Sequence, residues 1–494
     1  MKYILSIDQS TSATKAILFD ATARIVQAES LAHRQYYPRP GWVEHDPDEI
    51  YTNTLAVMRR CVEGSGIPPA EIAGLAITNQ RETVVVWEKD SGRPVCNAIV
   101  WQCNRGAVLC EALRHRGLNE SIQAKTGLMI DPYFSATGIA WVLDVVPGAR
   151  KKALEGKLLY GTIDAWLLWK LSAGRIHATD PSNASRTMLF NLHTQRWDED
   201  IHRELGIPLS MAPALMHSDE IFGFTDAGGL FDKPIPIGGI MGDSHAALFG
   251  QQCYETGMAK ATYGTGSSVM LNIGEKPRMA PEGLVTSVGF SLQSKTFYAF
   301  EGNIHCTGAT IQWLKEQLQL IADPKETEDL AISVSDTGGV YLVPAFAGLG
   351  APHWDNRARA LICGMTLGTK KAHVVRAALE SIAYQVKDLI EAMTTRSGIR
   401  LRELRVDGGA TRNNFLMQFQ ADMLRSDVTR SPTREASALG SAMACGLAIG
   451  FWNSTGDFAK LRGEDERITP SMPAGEAEDL YEGWARAVKR AIFN

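Results

Sequence analysis

The sequence predicts an α/β protein made of two similarly built domains that face one cleft. Its 494 residues are too many for a single hydrophobic core. A strand, a short polar turn and a second strand occur near the N-terminus and again about half a chain later. Between these copies, the strand at 234–237 enters two glycines and then the acid Asp243, at the start of a helix-prone run.

The composition is that of an ordinary soluble protein. Hydrophobic residues make up 45% and charged residues 21%, and the net charge of −5 argues against nucleic acid or an anionic membrane as a partner. The eight cysteines show no CxxC or Cys/His clustering, so structural zinc is not expected and a reducing compartment is. Without a signal stretch or a run of about eighteen apolar residues, the chain is predicted to be cytoplasmic.

The first hairpin is predicted over residues 3–20, with a hydroxyl-rich turn at 8–14. Thr11 and Ser12 can offer hydroxyl and backbone N–H groups to phosphate oxygens, and Lys15 adds positive charge. Asp8 stands before the turn, where its carboxylate could face a metal ion. A plain polar turn remains the alternative interpretation.

The second hairpin, over residues 258–274, repeats this pattern with a small-residue turn containing Thr265 and Gly266. One such hairpin from each domain would clamp a nucleotide between them. The domain boundary is therefore placed after Gly250, which gives domains 1–250 and 251–494.

The strand at 73–78 ends in the charged pair Arg81 and Glu82. Such a pair after an apolar strand is typical of a ligand site, although a solvated strand end would look the same. The segments 84–87 and 98–101 are read as further strands, and Tyr133 lies in a turn that presents its ring and hydroxyl.

In the second half, a helix is predicted to begin at Gly308, and residues 372–393 form the clearest amphipathic helix. The strand 404–407 enters a diglycine turn before the helix 415–424, a place where a nucleotide can rest against backbone. A small-residue helix at 436–449 and a closing amphipathic helix complete the chain. Asp243 itself is open to two interpretations, a helix N-cap or a catalytic carboxylate.

Long, ordered motifs identify a relationship over essentially the whole chain. The sequence resembles the FGGY carbohydrate kinases, and within them most closely the glycerol kinases. The motifs that carry the resemblance include Gly41–Pro47, Ile77–Thr83, Asn97–Cys103, Gly127–Phe134, Asn183–Phe190, Tyr263–Gly266, Val343–Pro352 and Val406–Ala410.

The resemblance implies two actin-like ATPase (ribonuclease H-like) domains around a central cleft, with ATP and Mg²⁺ as cofactors. Asp243 matches the general base that takes a proton from the substrate hydroxyl, and Asp8 and Asp243 match the metal-holding acids. The polyol site corresponds to Arg81, Glu82, Trp101, Tyr133, Asp243 and Ser244. The nucleotide site corresponds to Thr11, Ser12, Lys15, Thr265, Gly266, Gly308, Gln312, Ala410 and Asn414.

Several departures from the glycerol kinase pattern bear on the substrate. Those kinases typically read Gly-Asp-Gln-Gln where this chain has Ser244 and His245 after Asp243, and Gly-Thr-Gly-Cys-Phe where it ends in Ser268. Replacing glutamine and phenylalanine by serine leaves room for one or two more hydroxymethylene units. A related C4–C5 polyol or ketose, as for a pentulose kinase of xylulokinase type, is therefore the alternative to glycerol.

Two further departures concern charge. Lys15 replaces the arginine of the family's phosphate turn and loses its bidentate fork. Lys233 stands where regulated members carry an arginine that binds a sugar-bisphosphate inhibitor, which puts that regulation in doubt.

An actin-like ATPase without a sugar substrate is the alternative function from another class of protein. The residues that match the polyol site argue against it. The family pattern also suggests a homo-oligomer, a dimer or tetramer.

Overall fold

The structure is a computed structural model that describes residues 2–431, 435–461 and 465–492. Its strands are β1 (Tyr3–Gln9), β2 (Ala13–Phe19), β3 (Ile25–Ala32), β4 (Glu44–His45), β5 (Ile72–Asn79), β6 (Val84–Glu88), β7 (Ala98–Ile99), β8 (Leu158–Thr162), β9 (Ala178–Thr179), β10 (Phe190–Asn191), β11 (Arg196–Trp197), β12 (Ala214–Leu215), β13 (Ile221–Thr225), β14 (Ile235–Gly242), β15 (Met258–Tyr263), β16 (Ser267–Gly274), β17 (Val285–Leu292), β18 (Lys295–Ile304), β19 (Tyr341–Val343), β20 (Leu361–Cys363), β21 (Glu403–Gly408), β22 (Val428–Arg430) and β23 (Glu466–Ile468).

The helices lie mainly on the faces of the sheets. They are α1 (Pro47–Ser65), α2 (Ala107–His115), α3 (Asn119–Thr126), α4 (Ser135–Val145), α5 (Ala149–Leu154), α6 (Ile163–Leu171), α7 (Pro181–Ala184), α8 (Glu199–Glu204), α9 (Asp243–Gly250), α10 (Gly308–Glu316), α11 (Glu326–Ile332), α12 (Lys371–Thr395), α13 (Asn414–Leu424), α14 (Ala436–Ala448), α15 (Thr455–Leu461) and α16 (Ala474–Ile492). Short 3₁₀ turns occur at Pro69–Glu71, Leu209–Met211 and Gly409–Arg412.

The first large sheet has the strand order β13–β14–β5–β1–β2–β3. β1 and β2 form the predicted N-terminal hairpin, in which Asp8 stands opposite Lys15. β5 pairs in parallel with both β1 and β14, so the carboxyl ends of these three strands meet at one edge. A ligand is expected at that edge, because open α/β sheets bind ligands beyond the carboxyl ends of their strands.

The second large sheet repeats this arrangement in the order β17–β18–β16–β15–β21–β22–β23. The predicted hairpin β15–β16 is again followed by parallel strands, since β21 pairs in parallel with β15 and with β22. In both sheets one further strand pairs with the second strand of the hairpin, β3 with β2 and β18 with β16, and two parallel strands lie beside the first, β5 and β14 beside β1 and β21 and β22 beside β15. The duplicated hairpin in the sequence therefore reflects a duplicated sheet.

The long helix α12 confirms the amphipathic stripe read from the sequence. Val375, Ile382, Val386 and Leu389 are fully buried in the core of the second half. Arg376 and Glu380, four residues apart on this helix, form an ion pair with 2.8 Å between Nε and Oε1. The predicted strand at 98–101 is shorter than expected, because β7 ends at Ile99 and the chain then turns.

Helices α9 and α14 cross between the two sheets, and small residues let them approach closely. A Cβ on Gly440 would lie 1.8 Å from the carbonyl oxygen of Ala246, and one on Gly250 would lie 2.3 Å from that of Ala436. α14 also packs against β1, where the Oγ atoms of Ser6 and Ser441 are 2.8 Å apart. The small-residue composition at 436–449 thus serves this close packing, as predicted.

The segment around Asp243 differs in detail from the sequence prediction. β14 continues through both glycines to Gly242, and α9 begins at Asp243 rather than at Ser244. The capping position belongs to Gly242, and the Asp243 carboxylate accepts only the adjacent N–H of Ser244 within this turn, at 2.6 Å. The helix-cap interpretation is therefore wrong in its simple form.

Within the described ranges, none of the helices is long and apolar enough to cross a bilayer.

Candidate active site

A cleft of about 790 Å³ lies where the carboxyl ends of the first sheet face the second hairpin. Both halves of the chain line it. The structure brings together there the predicted residues Thr11, Arg81, Glu82, Trp101, Tyr133, Asp243, Ser244, Thr265 and Gly266.

Parallel pairing of β5 with β14 sets Arg81 beside Asp243, because Asn79 stands opposite Gly242. The side-chain stem of Arg81 then runs across Gly242, where a Cβ would lie 2.6 Å from the Arg81 Cγ. Any larger residue at 242 would push the arginine away from the acid. Glycine is therefore required here for close approach.

Arg81 is the centre of a buried group of charges. Its two terminal nitrogens donate to the two carboxylate oxygens of Glu301, each at 2.8 Å. Its Nε lies 3.0 Å from Asp243 Oδ1 in an ion pair that lacks hydrogen-bond alignment. Arg81 is 6% exposed on its side chain and Asp243 is 34% exposed, so the acid reaches the cleft while the arginine holds it from behind.

Glu82 is held by a second arginine. Arg186 Nε donates to Glu82 Oε1 at 2.5 Å, and Arg186 Nη1 lies 3.1 Å from Glu301. Burial raises the pKa of Glu82 against the opposing effect of Arg186 and Arg81. Glu82 also has a φ of 62°, which is uncommon for a residue other than glycine and costs on the order of 1–3 kcal/mol. This strained backbone directs Glu82 into the site.

Two members of this charged group, Arg186 and Glu301, escaped the sequence predictions. Arg186 lies in one of the recognised motifs, and Glu301 lies in an apolar strand, β18. Burial opposes ionisation of Glu301, yet Arg186 and Arg81 hold the pKa of its carboxyl far below the usual range. A carboxylate that directly follows the apolar run 297–300 within a strand is the signal that could have found it.

Aromatic side chains form the outer wall of the cleft on the first-domain side. The rings of Trp101 and Tyr133 meet edge to face with their centroids 5.4 Å apart. Trp101 Nε1 donates to the Thr11 hydroxyl at 3.0 Å, which ties the indole to the turn of the first hairpin. The ring faces are therefore fixed, as a site that packs against the carbons of a small ligand requires.

Carboxylates and a lysine gather at the first hairpin. Burial raises the pKa of Asp8 to about 7; nearby Lys15 lowers it, whereas Asp243 and Glu435 raise it further. Lys15 Nζ bonds both carboxylate oxygens of Glu435, at 3.0 and 2.9 Å. The lysine predicted to bind phosphate is thus paired in this structure with an acid from the second half of the chain.

The turn of the second hairpin rests on the N-terminus of α10. The carbonyl oxygen of Gly264 accepts from Gly308 N–H at 3.0 Å, and that of Thr265 accepts from Thr307 and Ala309 at 2.9 and 3.0 Å. A Cβ on Gly308 would lie 2.7 Å from the Gly264 oxygen, so the glycine permits this contact.

The remaining predicted residues do not line this cleft in the part of the chain that the structure describes: Asp8, Ser12, Lys15, Gly308, Gln312, Ala410 and Asn414. Gln312 and Asn414 are exposed, and their side chains bond Glu316 and Arg430 respectively. Ala410 lies in the 3₁₀ turn after β21, as expected for the diglycine loop. The nucleotide-binding assignments remain predictions.

Comparison with known proteins gives a consistent relationship along the whole chain. Residues 3–250 match the model of the FGGY family of carbohydrate kinases, N-terminal domain, and residues 259–449 match that of the C-terminal domain. Glycerol kinase 1 of Thermotoga maritima is 53% identical over 490 residues, which are 99% of each chain. The glycerol kinase of Caldanaerobacter subterraneus subsp. tengcongensis is 50% identical over 491 residues, again 99% of each.

The fold agrees with the sequence relationship. The crystal structure of Plasmodium falciparum glycerol kinase with ADP superposes with a TM-score of 0.95 at 37% identity, covering 100% of this chain and 99% of that one. The predicted two-domain fold, the family and the kinase activity are thereby confirmed. Because family models cover both halves of the sequence and a full-length relative is 50% identical, this chain belongs to the FGGY family of carbohydrate kinases.

Proposed function

We propose that this carbohydrate kinase transfers the γ-phosphoryl group of ATP to a terminal hydroxyl of glycerol or a closely related polyol, with Asp243 as the general base. One observation carries the proposal. The Asp243 carboxylate enters the cleft from the carboxyl end of the first sheet, at the N-terminus of α9, while Arg81 holds it from behind.

The chemistry needs a base within reach of the substrate hydroxyl and groups that fix the rest of the polyol. Arg81 and Glu82 offer charged donors and acceptors for further hydroxyls, and Trp101 and Tyr133 pack against the carbons. Since phosphoryl transfer depends on positioning and charge neutralisation, the rigid pairing of Arg81 with Glu301 supports this use of the site.

The acids near the first hairpin fit a magnesium ion. Mg²⁺ is typically held by one or two carboxylates together with phosphate oxygens and water. Burial raises the pKa of Asp8, and the nearby Asp243 and Glu435 raise it further, so a divalent cation beside Asp8 and Asp243 would favour the charged form of both carboxylates. When bound, the ion neutralises phosphate charge.

The test is an ADP-release assay coupled to NADH oxidation, with glycerol as the first acceptor. Asp243→Asn keeps the side-chain size and removes the base, so kcat should fall at least ~10²-fold while ATP binding persists. Near-normal turnover in Asp243→Asn with intact nucleotide binding would remove Asp243 from this role. ATP hydrolysis that no alcohol or sugar changes would favour an actin-like ATPase instead.

A C4–C5 polyol or ketose is the second candidate substrate, and a specific observation favours it. Ser244 and Ser268 both line the cleft and are partly exposed, where the glycerol kinases place glutamine and phenylalanine. Specificity constants for glycerol, tetritols, pentitols and pentuloses decide between the candidates.

Sizing the purified protein by light scattering tests the predicted dimer or tetramer, and cell fractionation tests the expected cytoplasmic location.

A further inference from the structure

The second sheet presents a row of small polar side chains to the cleft. Strand pairing places Thr262 opposite Ser268 and Ser268 opposite Asn303, so the three stand side by side across β15, β16 and β18. Residues that stand opposite one another in adjacent strands point to the same face. All three line the cleft, and each is partly exposed.

A lysine lies behind this row. Lys260 is fully buried, and its Nζ lies 3.3 Å from both Thr262 Oγ1 and Ser268 Oγ. An ammonium group only donates hydrogen bonds, so the Ser268 oxygen that accepts from Lys260 must direct its own proton elsewhere. Burying a cation costs free energy unless its N–H groups donate hydrogen bonds. Lys260 therefore fixes the orientation of the two hydroxyl groups that accept from it.

The proton of Ser268 points towards the first domain. Ser268 Oγ donates to Ser244 Oγ across 3.4 Å, a long hydrogen bond that joins the two domains. Ser244 directly follows Asp243, and its backbone N–H already bonds the Asp243 carboxylate. The hydrogen bonds thus run from Lys260 to Ser268 and from Ser268 to Ser244. The Ser244 hydroxyl keeps its own proton free to donate, at the cleft surface and one residue from the base.

We infer that Ser244 and Ser268, oriented by Lys260, form a subsite for a hydrogen-bond-accepting oxygen carried on a fourth carbon of the substrate. This inference rests on the proposed function and names its substrate class, a four-carbon polyol or ketose. Erythritol and erythrulose both carry a hydroxyl on the fourth carbon; they differ at an internal carbon, which bears a hydroxyl in erythritol and a carbonyl in erythrulose. Lys260 acts through the serines and is a positioning residue.

The experiment compares kcat/KM of the full-length enzyme for glycerol, dihydroxyacetone, erythritol and erythrulose in the coupled assay. We expect at least one four-carbon substrate to exceed glycerol by about tenfold, the range that one additional bound group provides. Erythrulose above erythritol shows that the site prefers a carbonyl at the internal carbon, and the reverse order shows that it prefers a hydroxyl there, while the fourth-carbon hydroxyl is common to both. Either order supports the subsite.

Two substitutions separate space from hydrogen bonding. Ser268→Phe fills the subsite and should lower the four-carbon to glycerol ratio by ~10²-fold. Ser268→Ala keeps the space, removes the link to Lys260 and should lower that ratio about tenfold, the effect of one hydrogen bond supported by a charge. Ser287→Ala is the matched control, because its hydroxyl contacts His245 Nε2 at 3.0 Å and not Lys260. That control should leave the ratio unchanged.

Lys260→Met tests the positioning role. In the wild-type background, Lys260→Met should lower kcat/KM for the four-carbon substrate by the same factor as Ser268→Ala. In the Ser268→Ala background its effect should be weaker, a difference that a general loss of stability would not produce. The inference is overturned if glycerol remains the best substrate of the wild-type enzyme or if Ser268→Ala leaves the ratio unaltered. If no alcohol in the series stimulates ADP release, the proposed function itself fails.

Discussion

Glu301 offers the sharpest test of how the active site is held together. Its carboxylate lies between Arg81 and Arg186, with two hydrogen bonds of 2.8 Å to the first and a 3.1 Å contact to the second. All three side chains are buried. Glu301→Gln keeps the shape but removes the charge that both arginines share, which leaves Arg186 with Glu82 and Arg81 with the partly exposed Asp243.

The magnitude follows from that burial. Removing one partner of a buried ion pair costs about 3–5 kcal/mol, because the remaining charge is stranded away from water. We expect Glu301→Gln to lower the free energy of unfolding by up to this amount, measured by urea denaturation, because Glu82 and Asp243 still oppose the two arginines. Glu275→Gln is the matched control, since Glu275 pairs with Lys295 on the surface and should lose little.

Glu301→Gln should also lower kcat/KM for the alcohol and leave the KM for ATP nearly unchanged. Arg81 would lose the partner that fixes its terminal nitrogens, and a misplacement of about 1 Å can cost ~10²-fold in kcat/KM for the alcohol. The KM for ATP should change little, because Glu301 faces the polyol side of the cleft. Wild-type stability together with an unchanged kcat/KM for the alcohol in Glu301→Gln would refute the role assigned to this carboxylate.

Three further predictions concern pH, packing and the phosphate side. Burial raises the pKa of Asp164 to about 6 from 3.8, so the folded state keeps a proton that the unfolded state releases, and this contribution to stability is lost as pH rises from about 4 to 6. Urea titrations should show Asp164→Asn gaining ~3 kcal/mol relative to wild type between pH 4 and pH 7. Gly440→Ala forces a Cβ against the Ala246 oxygen and should lower the free energy of unfolding by about 1–3 kcal/mol; a neutral result in urea denaturation would contradict the tight helix crossing. Lys15→Met should raise the KM for ATP and Glu435→Gln should lower it, because the two side chains pair in the absence of phosphate; equal shifts in one direction in steady-state kinetics would disprove that competition.

Much of the fold could be predicted because its signals are local. Alternating apolar residues and a polar turn defined both hairpins, and the segment before Asp243 was recognised as a strand, although β14 runs through both glycines to Gly242. The charged pair at Arg81 and Glu82 marked the site because polar groups at a strand end are unusual in a core. These features depend on neighbours in sequence, which are visible without a structure.

The residues that were missed depend on strand register. Lys260 stands opposite Met270, and Met270 stands opposite Glu301, so pairing across three strands brings the lysine and the carboxylate to the same face of the sheet. Each lies between apolar neighbours in the middle of its strand. Nothing in the local sequence states which charges it will meet, because the partners are up to 220 residues away, as for Arg81 and Glu301.

The crossing of α9 and α14 also bears on how the enzyme can move. When one sheet rotates against the other about this crossing, each atom is displaced in proportion to its distance from the axis. Asp243 is the first residue of α9, three residues before Ala246, whose carbonyl oxygen faces Gly440 of α14 at the crossing. Because the two helices touch at backbone atoms there, the base can shift little relative to α14 when the domains rotate.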